Sequence, residues 1–304
     1  MSVLGRPPVA ATVARVLQVL VSASAGMITR RRAKVFPELP GVTRDITIPA
    51  AVAPARARVY RPPGDGPAPV FVNFHGGGFV MPGMWLDDPL CRYLAAEAGV
   101  VVVNVDYVVA PRHPFPAPVR QAFEVVGWVA AQDGWDGGRL VVGGQSAGGA
   151  LAAAVARQAL EEGGPPIALQ VLHYAPLDLT TAARDKPAGT AKPLLRPWMG
   201  EVFDAAYVPD PRVRADRLVS PAGPADTADL TGIAPALVIT AEYDRLRAEG
   251  VRYAERLGRA GALVAQHDVP AADHGYDIGD AAGAVAKARE TYALIARHVR
   301  EATG

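Results

Sequence analysis

The chain has 304 residues, 50% of them hydrophobic and 20% charged, with a formal net charge of +1. That is ample material for a substantial core, as one large α/β domain or two small ones. The balanced charge leaves no electrostatic footprint for nucleic acid. A single cysteine, Cys91, excludes an internal disulfide and a cysteine-rich metal site.

The chain opens with an apolar-rich stretch, Val9 to Ile28. Val9, Val13, Val16, Leu17 and Leu20 recur at helical spacing, which predicts an amphipathic helix packed on the domain by that face. Ser22-Ala23-Ser24-Ala25 imitates a leader-peptide cleavage site, but Arg15 and Gln18 interrupt the apolar run such a leader needs. No apolar run reaches the length of a membrane span, and the expectation is a cytoplasmic protein. The basic run Arg30, Arg31, Arg32 and Lys34 reads as a solvated surface, with a membrane-surface role as its alternative.

Pro37 and Pro40-Gly41 then break the chain. Arg44–Ile48 and Ala55–Tyr60 alternate as half-buried strands. Pro69–Phe74 and Val100–Val105 are nearly continuous apolar runs, each interrupted by one asparagine, and read as parallel strands buried on both faces. Helices are predicted over Asp88–Ala98, where Cys91 would be an inert buried thiol, and over Ala117–Gln132. Leu169–Tyr174, Ala236–Thr240 and Leu263–Val269 are further strands, and Ala281–Glu301 is a final helix. With the strand that enters the serine motif described next, this makes about eight mostly parallel strands with helices on both faces. Residues 179 to 219 break the alternation and carry Trp198, Phe203 and Tyr207. They read as core packing or, from their place between two central strands, as a lid.

Leu140-Val141-Val142-Gly143-Gly144-Gln145-Ser146-Ala147-Gly148-Gly149 reads as strand, sharp turn and helix, with Ser146 at the apex. This is the G-x-S-x-G pattern of a nucleophile elbow. The two flanking glycines allow close approach around a strained serine. The following helix offers the Ala147 N–H to a developing oxyanion. Upstream, His75-Gly76-Gly77-Gly78-Phe79 follows a buried strand and presents bare backbone N–H groups. Downstream, Asp244 lies just past a strand on the same sheet edge, with Glu242 as a competitor nearer the strand's end. Of six histidines, only His274 follows the acid in a loop at that edge. His75 belongs to the glycine motif, His113 precedes the elbow, His173 and His267 sit in strands, and His298 sits in the last helix. The order Ser146, Asp244, His274 is that of an α/β-hydrolase triad.

The chain resembles the bacterial hormone-sensitive-lipase-like serine esterases, a family of α/β-hydrolases. The resemblance rests on the two motifs above, on Asp106-Tyr107-Val108-Val109-Ala110-Pro111-Arg112-His113-Pro114-Phe115-Pro116-Ala117, on Asp244-Arg245-Leu246-Arg247-Ala248-Glu249-Gly250, and on His274-Gly275-Tyr276. It runs from about residue 40 to the end. It implies an α/β-hydrolase fold with a helical cap: cap helices in 1–40, a catalytic domain in 41–178 and 220–304, and the second cap segment in 179–219. It implies hydrolysis of short- to medium-chain acyl esters by Ser146, Asp244 and His274, with Gly77, Gly78 and Ala147 as oxyanion donors. Phe79, Trp85, Trp198, Phe203 and Tyr207 would line the substrate pocket. No metal or cofactor is implied, and the partner is a small-molecule acyl ester; a homodimer is compatible. An amidase or an acyltransferase would use the same triad, and a non-catalytic binding protein would have lost part of it. Three positions depart from the family pattern: Gln145 stands for an acid, Val108 for an arginine and Arg112 for an acid. If the family's acid and arginine pair, losing both leaves no orphaned buried charge, whereas losing one would be costly.

Overall fold

The computed structural model describes every residue except Met1, Pro40, Gly41, Asp65 and Asp280. The predicted break at Pro40-Gly41 therefore lies outside the described residues. One eight-stranded sheet organises the chain, in the order β1-β2-β4-β3-β5-β6-β7-β8. The strands are β1 (Val42–Ile48), β2 (Ala55–Arg61), β3 (Pro69–Phe74), β4 (Val101–Asp106), β5 (Asp136–Gln145), β6 (Ile167–His173), β7 (Ala236–Ala241) and β8 (Leu263–Val269). β2 pairs antiparallel with both β1 and β4; every other pairing is parallel.

The near-continuous apolar strands are two-sided because their side chains alternate between two cores. Val70, Val72 and Phe74 of β3 pack on one face, with α3 (Ala117–Ala130), α4 (Ala147–Glu162) and α6 (Arg247–Arg259). Phe71 points to the other face, which α2 (Asp88–Ala98) and α7 (Ala282–Thr303) cover. Cys91 is fully buried there, and burial pushes its thiol well up, leaving it inert.

The two asparagines that interrupt β3 and β4 are in register. Asn73 Nδ2 donates to Asn104 Oδ1 (2.9 Å) and to Asp87 Oδ2 (2.8 Å), while Asn104 Nδ2 donates to the Met84 carbonyl (2.8 Å). Both amides therefore fasten the short 3₁₀ turn Met84–Asp87 onto the sheet.

Within the first 40 residues a single long helix, α1 (Pro7–Arg32), stands where cap helices were expected. Its inward face matches the predicted one in part: Val13 and Leu17 pack against the core as expected. Ala10 and Ala14 are fully buried, whereas Val16 and Leu20 face outward. Small alanines win the inner positions because α1 lies close against α5 (Pro197–Tyr207) and the Met84–Asp87 turn. Gln18 turns inward too, donating to the Val80 and Ala110 carbonyls at 2.8 Å each. By length and composition α1 could cross a bilayer, since an 18-residue window has mean hydropathy 1.5. This corrects the sequence-based reading that no run reaches that length.

Candidate active site

The elbow forms where β5 runs into α4. Ser146 takes φ 52° and ψ −121°, a conformation an L-residue adopts only when its surroundings force it. The force is close packing. A β-carbon on Gly144 would lie 2.1 Å from the Phe74 carbonyl oxygen, and one on Gly148 only 1.7 Å from the same atom. The Ser146 N–H donates to the His173 carbonyl at 2.9 Å, seating the turn on the end of β6.

His274, in the loop after β8, reaches this serine. Its Nε2 lies 3.0 Å from Ser146 Oγ and its Nδ1 2.8 Å from Asp244 Oδ2. Asp244 is buried, and its other oxygen accepts from the Leu246 N–H (3.0 Å), which fixes the carboxylate. Burial pulls the His274 pKa down, but the charge and hydrogen bond of Asp244 outweigh it and hold the imidazole above its ordinary value. Glu242 is exposed and accepts from the Ala271 N–H (2.7 Å), so it serves the loop rather than the imidazole.

The glycine motif lies beside the serine. His75 is buried, its ring stacked on Tyr107 at 4.3 Å and its Nδ1 2.6 Å from the Gly76 carbonyl oxygen. Burial lowers its pKa, so a neutral ring braces the loop. Among the described residues, the N–H groups of Gly77 and Gly78 have no backbone acceptor. Ala147 opens α4, where an N–H has no intrahelical partner. Gly78 has φ 61°, and a β-carbon there would fall 2.3 Å from the Phe203 ring.

Gly77, Gly78, Phe79, Ser146, Phe203 and His274 all border one largely apolar cavity. Met81, Leu86, Leu194, Leu195, Met199 and Ile278 form its greasy wall; of the charged residues that also border it, Asp87, Lys186, Arg196, Asp204 and Arg245, Lys186 is paired with Glu249 at 2.7 Å. Three aromatics expected in the pocket do not line it. Tyr207 is buried behind Phe79, their rings stacked at 3.9 Å. Trp198 lies on the outer side of α5, 41% exposed. Trp85 sits in the Met84–Asp87 turn with its indole N–H buried and unpartnered among the described residues. On this helix Met199 and Phe203 both face the cavity, while Trp198 turns outward.

Sequence reasoning missed Asp277. This buried carboxylate accepts from the Gln145 amide, from Tyr174 Oη (2.6 Å) and from Tyr292 Oη (2.9 Å). Gln145 thus finds its partner three residues beyond His274, not at position 108. The backbone N–H of Val108 is instead bound by Gln121 Oε1 (2.7 Å). The replacement of an acid by Gln145 was the one available signal: an amide beside the nucleophile can face a carboxylate that a second acid would repel.

The profile of the α/β hydrolase fold family matches residues 71–278. The chain belongs to the hormone-sensitive-lipase-like branch of that family, a branch of carboxylic ester hydrolases. It is 39% identical to esterase LipI of Mycobacterium tuberculosis over 252 residues, 81% of this chain and 77% of that one. Carboxylesterase NlhH of the same organism is 37% identical over 256 residues, covering 81% and 75%. Among solved structures, the esterase of Pyrobaculum calidifontis superposes with a TM-score of 0.83 at 35% identity, over 96% of this chain and 94% of that one. The metagenomic carboxylesterase EstE1 gives 0.86 at 32% identity, over 96% and 98%.

Proposed function

We propose that this carboxylic ester hydrolase works through an acyl-enzyme on Ser146 and prefers short- to medium-chain acyl esters. The observation that carries the proposal is the position of His274, 3.0 Å from Ser146 Oγ and 2.8 Å from Asp244. Ser146 Oγ attacks the ester carbonyl while His274 Nε2 takes its proton. Asp244 holds the imidazole in the tautomer with its proton on Nδ1 and stabilises the imidazolium. The N–H groups of Gly77, Gly78 and Ala147 bind the oxyanion, and one such donor is worth about 10²–10³ in rate. The imidazolium then protonates the leaving alcohol, and a water activated by the same imidazole frees the acid.

The chain-length preference is supported by the apolar wall and by the Phe203 ring closing over Gly78. In this reading α1 and residues 179–219 act together as the cap over the cavity, since α1 packs on α5.

Hydrolysis of p-nitrophenyl esters of increasing acyl length tests the reading. Turnover should peak among the shorter chains. A peak at the longest chains would contradict the preference. A single burst of p-nitrophenol without turnover would contradict hydrolysis by water and point to an acyltransferase.

A further inference from the structure

α1 is fastened inward and bare outward. On its outer side Val16, Val19, Leu20 and Met27 form one stripe, with Val19 and Leu20 three and four residues after Val16 and Met27 seven after Leu20, each between 55% and 68% exposed. No other element of the described structure covers them. The stripe runs into Arg30, Arg31 and Lys34, all exposed, and Arg15 flanks it. Ala23, Gly26, Met27, Arg30, Arg31 and Lys34 bound a shallow surface depression with three cations and no carboxylate.

The charge of the whole chain is polarised toward this helix. The first 34 residues hold six of the chain's 31 lysines and arginines and none of its 30 carboxylates. The rest of the chain carries 25 cations against 30 carboxylates. A near-neutral total therefore hides a basic helix on an acidic body. Of those six cations only Arg32 is buried; it donates to the Leu86 and Ile278 carbonyls at 2.9 and 2.8 Å. The others are free to meet an anionic surface.

An exposed apolar stripe beside a cluster of cations is the pattern of a helix that lies in a membrane interface. The apolar side chains enter the acyl boundary, and each cation near an anionic bilayer adds attraction that salt screens. We propose that the outer face of α1 seats this enzyme on an anionic lipid bilayer. Val16, Val19, Leu20 and Met27 insert, and Arg30, Arg31 and Lys34 meet the headgroup phosphates. The acidic body has no such attraction, so docking is oriented. The inner side of α1 packs on α5 and on the Met84–Asp87 turn, which contribute Met199, Phe203 and Leu86 to the cavity wall. Docking therefore holds the cavity wall next to the bilayer, where lipophilic esters collect.

The test is co-sedimentation of the full chain with phosphatidylcholine vesicles, with and without phosphatidylglycerol, at low and high salt. Light scattering on the free protein and hydrolysis of dissolved p-nitrophenyl butyrate run alongside. The wild type should pellet with the phosphatidylglycerol vesicles, stay soluble with phosphatidylcholine alone, and be released by salt. The double variants V19D/L20D and R30E/R31E should each lose binding by on the order of tenfold or more and keep butyrate turnover. Wild-type protein that stays in the supernatant with phosphatidylglycerol vesicles would overturn the proposal, whatever the variants do. Two other outcomes would also overturn it: a dimer that V19D/L20D dissociates, with no vesicle binding, or vesicle binding that neither salt nor alkaline carbonate reverses, which would mean a spanning helix. These readouts do not depend on the esterase chemistry, so its failure would be seen separately.

Discussion

Gln145 donates its side-chain amide to the Asp277 carboxylate, tying the end of β5 to the loop that carries His274. The nucleophile lies one residue after the donor and the imidazole three residues before the acceptor. Tyr174, just past β6, and Tyr292 of α7 donate to the same carboxylate, so both elements share the junction. A buried polar knot outside the triad therefore braces the serine turn against the histidine loop, and the Asp277 charge adds to those that raise the His274 pKa.

Asp277→Ala should leave three buried donors without an acceptor. Stability should fall by about 3 kcal/mol or more, read from the urea midpoint at unchanged slope. Turnover should fall as well, because the loop bearing His274 loses its anchor. Asp277→Asn keeps an acceptor and should cost less on both counts.

The pH dependence of kcat/KM follows from the pair His274–Asp244. Catalysis needs the neutral imidazole, and Asp244 raises the His274 pKa against the pull of burial. Activity should therefore rise with pH through a midpoint above the ordinary histidine value. Asp244→Asn should move that midpoint down and lower kcat by about 10⁴. The stability this pair contributes has the opposite trend: it is present at low pH and lost as pH rises through the raised pKa. A rate profile with its rising limb below the ordinary value would contradict the assignment.

Asp87 gives a separate pH signature. Burial, reinforced by the charge of Asp277, raises its pKa to about 7 against the opposing Asn73 hydrogen bond and Arg32 charge. The folded protein then holds a proton that the unfolded chain has released. Stability should fall as pH rises from the ordinary aspartate range toward 7. Asp87→Asn should flatten that fall, gaining on the order of 1 kcal/mol or more over wild type near neutrality. Thermal melts of both proteins across that range check it.

Gly78→Ala places a methyl against the Phe203 ring at a positive φ. The oxyanion donor should shift, lowering kcat by about 10² or more, and overpacking should cost about 1–3 kcal/mol. Adding Phe203→Leu frees space and should recover part of the stability. The remaining loss of kcat then measures the displaced donor.

Much of this arrangement was legible because it depends on chain order and strand ends. The strand runs put Ser146, Asp244 and His274 on one sheet edge, and only His274 met every positional demand. The sheet was legible too, since two-sided burial makes β3 and β4 nearly continuous apolar runs. The pocket aromatics were not, because helical spacing does not say which of Trp198, Phe203 and Tyr207 faces inward. The inner face of α1 was read only in part for a related reason: Val13 and Leu17 do pack inward, but close helix packing favours Ala10 and Ala14 over the larger Val16 and Leu20. The role of Asp277 depends on three partners distant in sequence, which no local pattern encodes.

The central claim is that Ser146 carries the acyl group. The most direct test is turnover of a short-chain p-nitrophenyl ester by Ser146→Ala, with the fold checked by circular dichroism. The account predicts a loss of on the order of 10⁴–10⁶ in kcat and an unchanged spectrum. Retained turnover in a folded variant would contradict it and move the nucleophile elsewhere.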